Sequence, residues 1–214
     1  MLERLLNNRM FWLLVALILT LVLSPIIDMY GETSHRFYFV LLTTVLMISV
    51  VYAASVSRIG RFVGLVLGTV WVLLTWFRLL SGTLDTTLWS DVALMALFFY
   101  VLVILIGRTA SLEETNFDSL CGAVAAYFLI AVAWAASYRV IEVAVPGSFS
   151  FPQTNLGPAA GQLLYFSLTT ITTLGYGDIA PASPFARIWA ALEASAGILY
   201  VGLLIARLIS LYRK

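Results

Sequence analysis

The sequence predicts an all-α membrane protein with six transmembrane helices and one re-entrant helix. Of its 214 residues, 62% are hydrophobic and 11% are charged, whereas a soluble domain is about 45–50% apolar and about 25% charged. The mean hydropathy is +1.00. A helix that crosses a bilayer core of about 30 Å needs about 20 apolar residues. Six stretches approach that length, at residues 11–27, 37–56, 62–80, 92–106, 120–140 and 185–208.

Composition also argues against several classes of function. The net charge of +1 gives no sign of nucleic-acid binding. Cys121 is the only cysteine and His35 the only histidine, so the chain has neither an internal disulfide nor a Cys/His metal cluster. No acid/base pair, nucleophile motif or phosphate-binding loop stands out. We therefore expect neither an enzyme nor a cofactor.

The first span has two interpretations. Arg4 and Arg9 precede its apolar core, as basic residues do in a signal peptide. There is no clear small-x-small cleavage site, and the apolar core is long for a signal peptide. We favour a retained helix, although the sequence leaves cleavage of residues 1–27 open.

The distribution of basic residues predicts the orientation. With a cytoplasmic N-terminus and six crossings, eight of the 12 Lys and Arg residues lie inside, and four lie outside or near the outside. The inside residues are Arg4, Arg9, Arg58, Arg61, Arg108, Arg207, Arg213 and Lys214. This asymmetry favours cytoplasmic termini at both ends. The re-entrant segment then enters from outside.

The re-entrant segment ends in closely spaced glycines. Residues 159–174 are apolar but too short to cross, and they run into Gly175 and Gly177 of the sequence TLGYG. Rings of backbone carbonyl oxygens can replace the water shell of a cation. Directing consecutive carbonyls into one pore requires alternation with left-handed backbone, which glycine adopts without steric cost. The carbonyl end of the preceding helix also favours a cation, since it carries about −0.5 charge.

The segment TTLGYGD resembles the selectivity filter of potassium channels, whose common form is TVGYGD. Leu174 is the only departure from that form. An outer helix (120–140), a pore helix (about 159–172), the filter and an inner helix (185–208) follow in the order typical of that family. The resemblance covers residues 120–214. It implies a tetrameric potassium-channel-like fold, with a four-helix transmembrane domain over residues 1–110 and a pore domain over residues 111–214.

The resemblance also implies roles for individual residues. Potassium ions would be held by the carbonyls of Thr173, Leu174, Gly175 and Tyr176, with the hydroxyl group of Thr173 at the innermost ring. Gly177 would shape the outer mouth, and the ring of Tyr176 would point away from the pore. Asp178 would attract cations or tie the filter to the pore helix, with Tyr165 as a hydrogen-bond partner.

Two positions of the sixth span attract attention. Glu193 is a carboxylate within a membrane span, which is costly and indicates function. It either faces the cavity or packs behind the filter against Thr169, Thr170 or a neighbouring subunit, and we favour the second interpretation. Gly197 matches the proposed gating hinge of the family. That alignment directs Ile198, Val201 and Ile205 toward the pore.

These observations predict a potassium-selective channel that conducts passively across the plasma or inner membrane. One filter loop cannot encircle an ion, so we expect a homotetramer that contacts lipid and K⁺. A weakly selective monovalent cation channel and a non-conducting regulatory subunit remain alternatives. A potassium transporter subunit is disfavoured, because such chains carry four filter-like loops. The sequence does not identify the gating stimulus or a separate regulatory protein.

The leading spans predict shallow voltage dependence. Arg58, Arg61 and Arg78 are the only arginines near the third span, and the fourth has none before Arg108. Moving one charge across the membrane contributes only about 2.3 kcal/mol per 100 mV, so steep gating needs many charges. Planar-bilayer recordings should give a shallow conductance–voltage curve. A slope equivalent to about ten or more charges per tetramer would contradict this interpretation of the leading spans.

Overall fold

The computed structural model describes residues 8–28, 41, 43–49, 58–81, 87–110, 117–152 and 159–212. The helices are α1 (Arg9–Asp28), α2 (Arg58–Ser81), α3 (Thr87–Ala110), α4 (Phe117–Ala144), α5 (Ala159–Ile171) and α6 (Pro184–Tyr212). Residues 41 and 43–49 are also helical and belong to the predicted second span. The remainder of that span lies outside the described residues. The other five predicted spans coincide with helices that extend further at both ends.

Three described helices are long and apolar enough to cross a bilayer. They contain the segments Leu88–Gly107, Phe117–Ala144 and Pro184–Arg207. The apolar parts of α1 and α2 are shorter, at Arg9–Leu23 and Phe62–Phe77. The chain is therefore a mostly helical protein with membrane-spanning helices, whereas the count of six crossings stays a prediction.

The core is centred on α4, which packs against α1, α3, α5 and α6. The buried side chains of α4 are largely alanines, among them Ala125, Ala126 and Ala133. Small side chains let neighbouring helices approach closely in a membrane protein. Leu13 and Leu17 of α1 and Leu97 of α3 complete this core from the other side.

Two polar contacts reinforce the packing of α3. The Asp91 carboxylate of α3 forms an ion pair with the Arg139 guanidinium of α4, with Oδ1 and Nη2 2.8 Å apart. Tyr100 of α3 donates a hydrogen bond of 3.1 Å to the carbonyl of Gly60 in α2. Gly60, Gly64 and Gly68 are all buried. These three glycines of α2 form a GxxxGxxxG pattern, and their burial indicates that α2 packs closely against a neighbouring helix.

A short two-stranded sheet joins the chain on either side of α5. Strand β1 (Phe149–Ser150) pairs antiparallel with β2 (Ala180–Pro181). The carboxylate of Glu142, near the end of α4, accepts hydrogen bonds from the backbone N–H groups of Gly147 (2.9 Å) and Phe149 (3.0 Å). Gly147 has a φ of 84°, a conformation that favours glycine. The sheet and this turn fix both ends of the re-entrant segment.

Helix α6 contacts α4 through aromatic side chains. The rings of Trp134 and Trp189 stack with their centroids 5.7 Å apart. The Trp134 indole N–H donates to the Trp189 carbonyl at 3.2 Å. Further along α6, the Tyr200 hydroxyl donates to the Ala123 carbonyl at 2.7 Å. These contacts hold the inner helix against the outer helix at two levels.

The N-terminal ends of α1 and α4 meet at one carboxylate. Asp118 Oδ1 accepts hydrogen bonds from the backbone N–H groups of Met10 (3.0 Å) and Phe11 (3.2 Å). The first N–H groups of a helix have no partner within the helix, so an acceptor there is stabilising. Asp118 also lies in the first turn of α4, where a negative charge is favourable. One side chain thus stabilises two helix ends and joins them.

Replacing Asp118 by Ala should lower the free energy of unfolding by about 0.5–2 kcal/mol, as loss of a helix cap does. Asp118→Asn keeps an oxygen acceptor and should lower the free energy of unfolding by less than Asp118→Ala does. Thermal unfolding of the detergent-solubilised protein measures both changes. Equal unfolding midpoints for wild type and Asp118→Ala would show that the carboxylate does not stabilise the contact.

Candidate functional site

The pore helix α5 ends in a cluster of threonines. The hydroxyl groups of Thr169 and Thr170 donate to the Phe166 carbonyl at 2.9 and 2.8 Å. The Thr172 hydroxyl donates to the Leu168 carbonyl at 2.7 Å. Each hydroxyl is thereby satisfied by the preceding turn. Thr169 and Thr170, which the sequence predicts to support the filter, stabilise the last turn of the pore helix.

Residues 172–178, which we call the filter segment, follow this helix and are hydrogen-bonded to its last turn. The N–H groups of Leu174 and Gly175 both donate to the carbonyl of Thr169, at 2.9 and 3.1 Å. The N–H group of Thr173 donates to the carbonyl of Thr170 at 2.9 Å. Three consecutive amides therefore point back into the helix end, which anchors a backbone that belongs to neither a helix nor a sheet.

The backbone of the filter segment alternates in conformation. Thr173, Gly175 and Gly177 have φ values of 59°, 54° and 81°, while Leu174 and Tyr176 between them do not have positive φ. The sequence predicts left-handed backbone at the two glycines. Thr173 adopts it as well, which is uncommon for a residue with a branched side chain. The alternation required to direct consecutive carbonyls into one pore is present.

The filter carbonyls are available to a ligand. Among the described residues, none donates a hydrogen bond to the carbonyl oxygens of Thr173, Leu174, Gly175 or Tyr176. All residues of the filter segment are exposed in the single chain. The side chain of Leu174 is 55% exposed, so nothing within one chain covers it. The arrangement presents a row of unpaired backbone oxygens, a suitable ligand set for an alkali cation.

Tyr176 and Tyr165 lie side by side. Their rings are nearly parallel, with an interplanar angle of 4° and centroids 6.5 Å apart. The Tyr165 hydroxyl also interacts with the carboxyl group of Asp178, while Asp178 Oδ1 accepts a hydrogen bond from its neighbour Ile179 N–H at 3.1 Å. Tyr165 thus lies beside Tyr176 of the filter segment and beside Asp178, its predicted hydrogen-bond partner.

Glu193 is completely buried within one chain, at 0% exposure. The Tyr138 hydroxyl donates to Glu193 Oε2 at 2.5 Å, and the Ser167 hydroxyl contacts Glu193 Oε1. The carboxyl group therefore does not face a water-filled cavity in this chain. Its partners are Ser167 and Tyr138 rather than the predicted Thr169 and Thr170.

Gly197 packs directly against the end of the pore helix. A Cβ atom built on Gly197 would lie 2.5 Å from the carbonyl oxygen of Ile171 and 2.6 Å from its Cγ1. The same carbonyl accepts a hydrogen bond from the Tyr127 hydroxyl at 3.2 Å. The absence of a side chain at position 197 therefore permits contact between α6 and α5. Its role as a gating hinge stays a prediction.

The predicted pore-lining residues are exposed in the single chain. Ile198, Val201 and Ile205 follow Gly197 on α6 and have exposed side chains. Exposure on one chain fits either lipid or a central pore, so their assignment stays a prediction. Within the described residues, no cluster of three His, Cys, Asp or Glu side chains is placed to hold a metal ion.

Comparison with known proteins agrees with these features. Residues 123–214 match a family model described as ion channel. The two pore potassium channel c of Oryza sativa subsp. japonica is 34% identical over 83 residues, which is 39% of this chain and 18% of that protein. The inward rectifier potassium channel Kirbac3.1 of Paramagnetospirillum magnetotacticum is 38% identical over 71 residues, 33% of this chain and 20% of that protein. The C-terminal part of the chain is therefore similar to an ion-channel family and to two potassium channels.

The match is confined to the pore region. The chain spans about a fifth of the length of these curated relatives, and no solved structure matches it. The family match begins within α4 and includes the pore helix, the filter segment and α6. The resemblance noted from TTLGYGD is thus confirmed at the level of the potassium channel pore family.

Sequence reasoning missed three hydroxyl-bearing residues that support the pore region. Tyr127 and Tyr138 lie on α4, and Ser167 lies on α5. Each is a common residue type in a membrane helix, and its partner is distant in sequence, so no local pattern marks it. The one available signal is the spacing of Tyr127 and Tyr138, which differ by eleven positions, about three helical turns, and therefore share a face of α4.

Gly197→Ala should disturb the pore, because its Cβ meets the Ile171 backbone, which cannot rotate away. Overpacking of this kind costs about 1–3 kcal/mol. Gly202→Ala, in the same helix, is the matched control, because a Cβ there meets nothing within 4 Å. We expect Gly197→Ala to reduce ion flux through reconstituted protein more than Gly202→Ala does. Equal flux in the two variants would contradict the packing role.

Proposed function

We propose that this protein is a potassium-selective channel whose pore is formed by four copies of the chain. The observation that carries this proposal is the alternating backbone of the filter segment, which leaves the carbonyls of Thr173, Leu174, Gly175 and Tyr176 unpaired. Four such strands around an axis give stacked rings of oxygen atoms. Potassium enters by exchanging its water shell for these rings. K⁺ is the permeant ion, and the function needs no cofactor.

The exposure of the filter segment supports an assembly. Unpaired backbone groups at membrane depth are tolerated only where protein buries them or water lines a path. In the single chain, residues 172–178 have neither. Neighbouring copies of the chain would meet both conditions, because they would bury the outer side of each strand and enclose a water-filled pore along the axis. The named relatives are potassium channels, which fits this interpretation.

The remaining assignments follow the same proposal. Residues 1–110 form a four-helix transmembrane domain that does not sense voltage, and residues 111–214 form the pore domain. The channel lies in the plasma or inner membrane. With six crossings, both of its termini are cytoplasmic. Lipid surrounds the tetramer.

Two polar features favour a cation over an anion. The last carbonyls of α5 lie at the filter, where the helix carries about −0.5 charge. Asp178 adds a carboxylate at the outer end, next to Tyr165. Backbone dipoles and side-chain charge therefore have the same sign along the conduction path. Conduction along this path is passive and involves no covalent step.

Reconstitution into liposomes tests the function. With potassium on one side and sodium on the other, we expect a reversal potential far from zero, in the direction set by the potassium gradient. A reversal potential near zero would instead indicate a weakly selective cation channel. No current from well-assembled protein would favour a non-conducting regulatory subunit.

Gly175→Ala provides a control for contaminating currents. A Cβ at Gly175 meets nothing within 4 Å, but its φ of 54° is strained for alanine. Left-handed backbone costs about 1–2 kcal/mol for a residue with a Cβ, repeated in each of the four strands. Selectivity or flux should therefore fall. Unchanged selective current would show that the measured pore is not this filter.

A further inference from the structure

Three helices meet at one buried carboxyl group behind the filter segment. Glu193 comes from α6, Ser167 from the pore helix and Tyr138 from the outer helix α4. All three side chains are completely buried, at 0% exposure. Ser167 also donates to the Ala131 carbonyl of α4 at 2.7 Å. Two oxygen–oxygen contacts of the Glu193 carboxyl group and the contact of Ser167 with Ala131 together form what we call the Glu193 network.

The three contacts require three hydrogen atoms. If Glu193 is ionised, the network holds only two, one on Tyr138 and one on Ser167. Ser167 would then reach either the Ala131 carbonyl or Glu193 Oε1, and two acceptor oxygens would face each other without a hydrogen between them. If Oε1 carries a proton, Glu193 donates to Ser167, Ser167 donates to Ala131, and Tyr138 donates to Oε2. A hydroxyl group both donates and accepts, so every contact is then a hydrogen bond.

Among the described residues around Glu193, none supplies a compensating positive charge. Within the described residues, its carboxyl group interacts with the hydroxyl groups of Ser167 and Tyr138, and no arginine or lysine is among its partners. A buried carboxylate without a cation is costly, because its solvation by water is lost. A neutral acid avoids this cost and keeps the same shape.

We propose that Glu193 is a neutral carboxylic acid that positions the pore helix against α4 and α6. Ser167 precedes Thr169 by two residues, and the Thr169 carbonyl accepts the N–H groups of Leu174 and Gly175. The position of Ser167 is thus transmitted over about half a helical turn to the carbonyl that holds the filter backbone. Glu193 is a positioning residue, since it touches Ser167 and Tyr138 and not the permeant ion. This role rests on the proposed conduction, whereas the protonation state does not.

Infrared difference spectroscopy tests the protonation state directly. We expect the wild-type protein at neutral pH to show a carboxylic-acid C=O stretching band that is absent from Glu193→Gln. Tyr138→Phe should shift this band, because it removes the hydrogen bond to Oε2. A difference spectrum that contains carboxylate bands and no acid band would overturn the proposal. The reading needs only wild type and Glu193→Gln, so poor folding of the tyrosine variant does not affect it.

Potassium flux into liposomes tests the positioning role. Glutamine has the shape of a neutral glutamic acid, with an N–H₂ group to donate to Ser167 and a carbonyl to accept from Tyr138. Glu193→Leu leaves both buried hydroxyl groups without this partner, and we expect a roughly tenfold loss of flux. Glu193→Gln should retain most of the flux that leucine loses. Equal losses in the two variants would show that charge, not a neutral hydrogen-bonding group, is what the site needs.

An absent potassium flux in wild-type protein contradicts the proposed function and leaves the infrared result unaffected. An absent acid band contradicts the neutral Glu193 and leaves conduction unaffected. The two failures are therefore distinguishable.

Discussion

The structure depends on the carbonyl oxygen of Thr169 at the end of the pore helix. It accepts the N–H groups of both Leu174 and Gly175. Thr172 still donates its N–H group to the Leu168 carbonyl at 3.3 Å, as a helical residue does. Beyond it, these two contacts and that of Thr173 with Thr170 define the path of the filter segment. The amides of residues 173–175 donate to the end of the pore helix, whereas the carbonyl oxygens of residues 173–176 accept no hydrogen bond from the described residues. Anchoring the strand and exposing its oxygens are two results of one arrangement.

The surrounding helices act on the same helix end. Ile171 is buried with Leu102 of α3 and Ile130 of α4, its carbonyl receives the Tyr127 hydroxyl, and Gly197 packs against it. A shift of α5 would therefore disturb contacts with three other helices. Since interiors are close-packed, such a position is defined to within a fraction of an ångström. The Glu193 network adds directional hydrogen bonds one turn earlier in the pore helix.

The sequence predicts the parts of this arrangement that have a local pattern. Apolar length indicates the helices, and alternating glycines indicate left-handed backbone at Gly175 and Gly177. It does not predict the positive φ of Thr173, because that conformation is imposed by the neighbouring hydrogen bonds to Thr169 and Thr170. Asp118 and Ser167 are also unmarked, since their partners are 26 or more residues away in the sequence. Glu193 stands out as a carboxylate within a span, but its burial depends on how three helices pack.

The tetrameric filter can be tested directly by an electron cryo-microscopy map of the protein in potassium. We expect four chains around one axis, with density on that axis at the level of the carbonyl oxygens of residues 173–176. The filter segment should show positive φ at Thr173, Gly175 and Gly177. An assembly whose filter segments share no axis would contradict this expectation. So would a four-fold assembly in potassium that has no density between these oxygens.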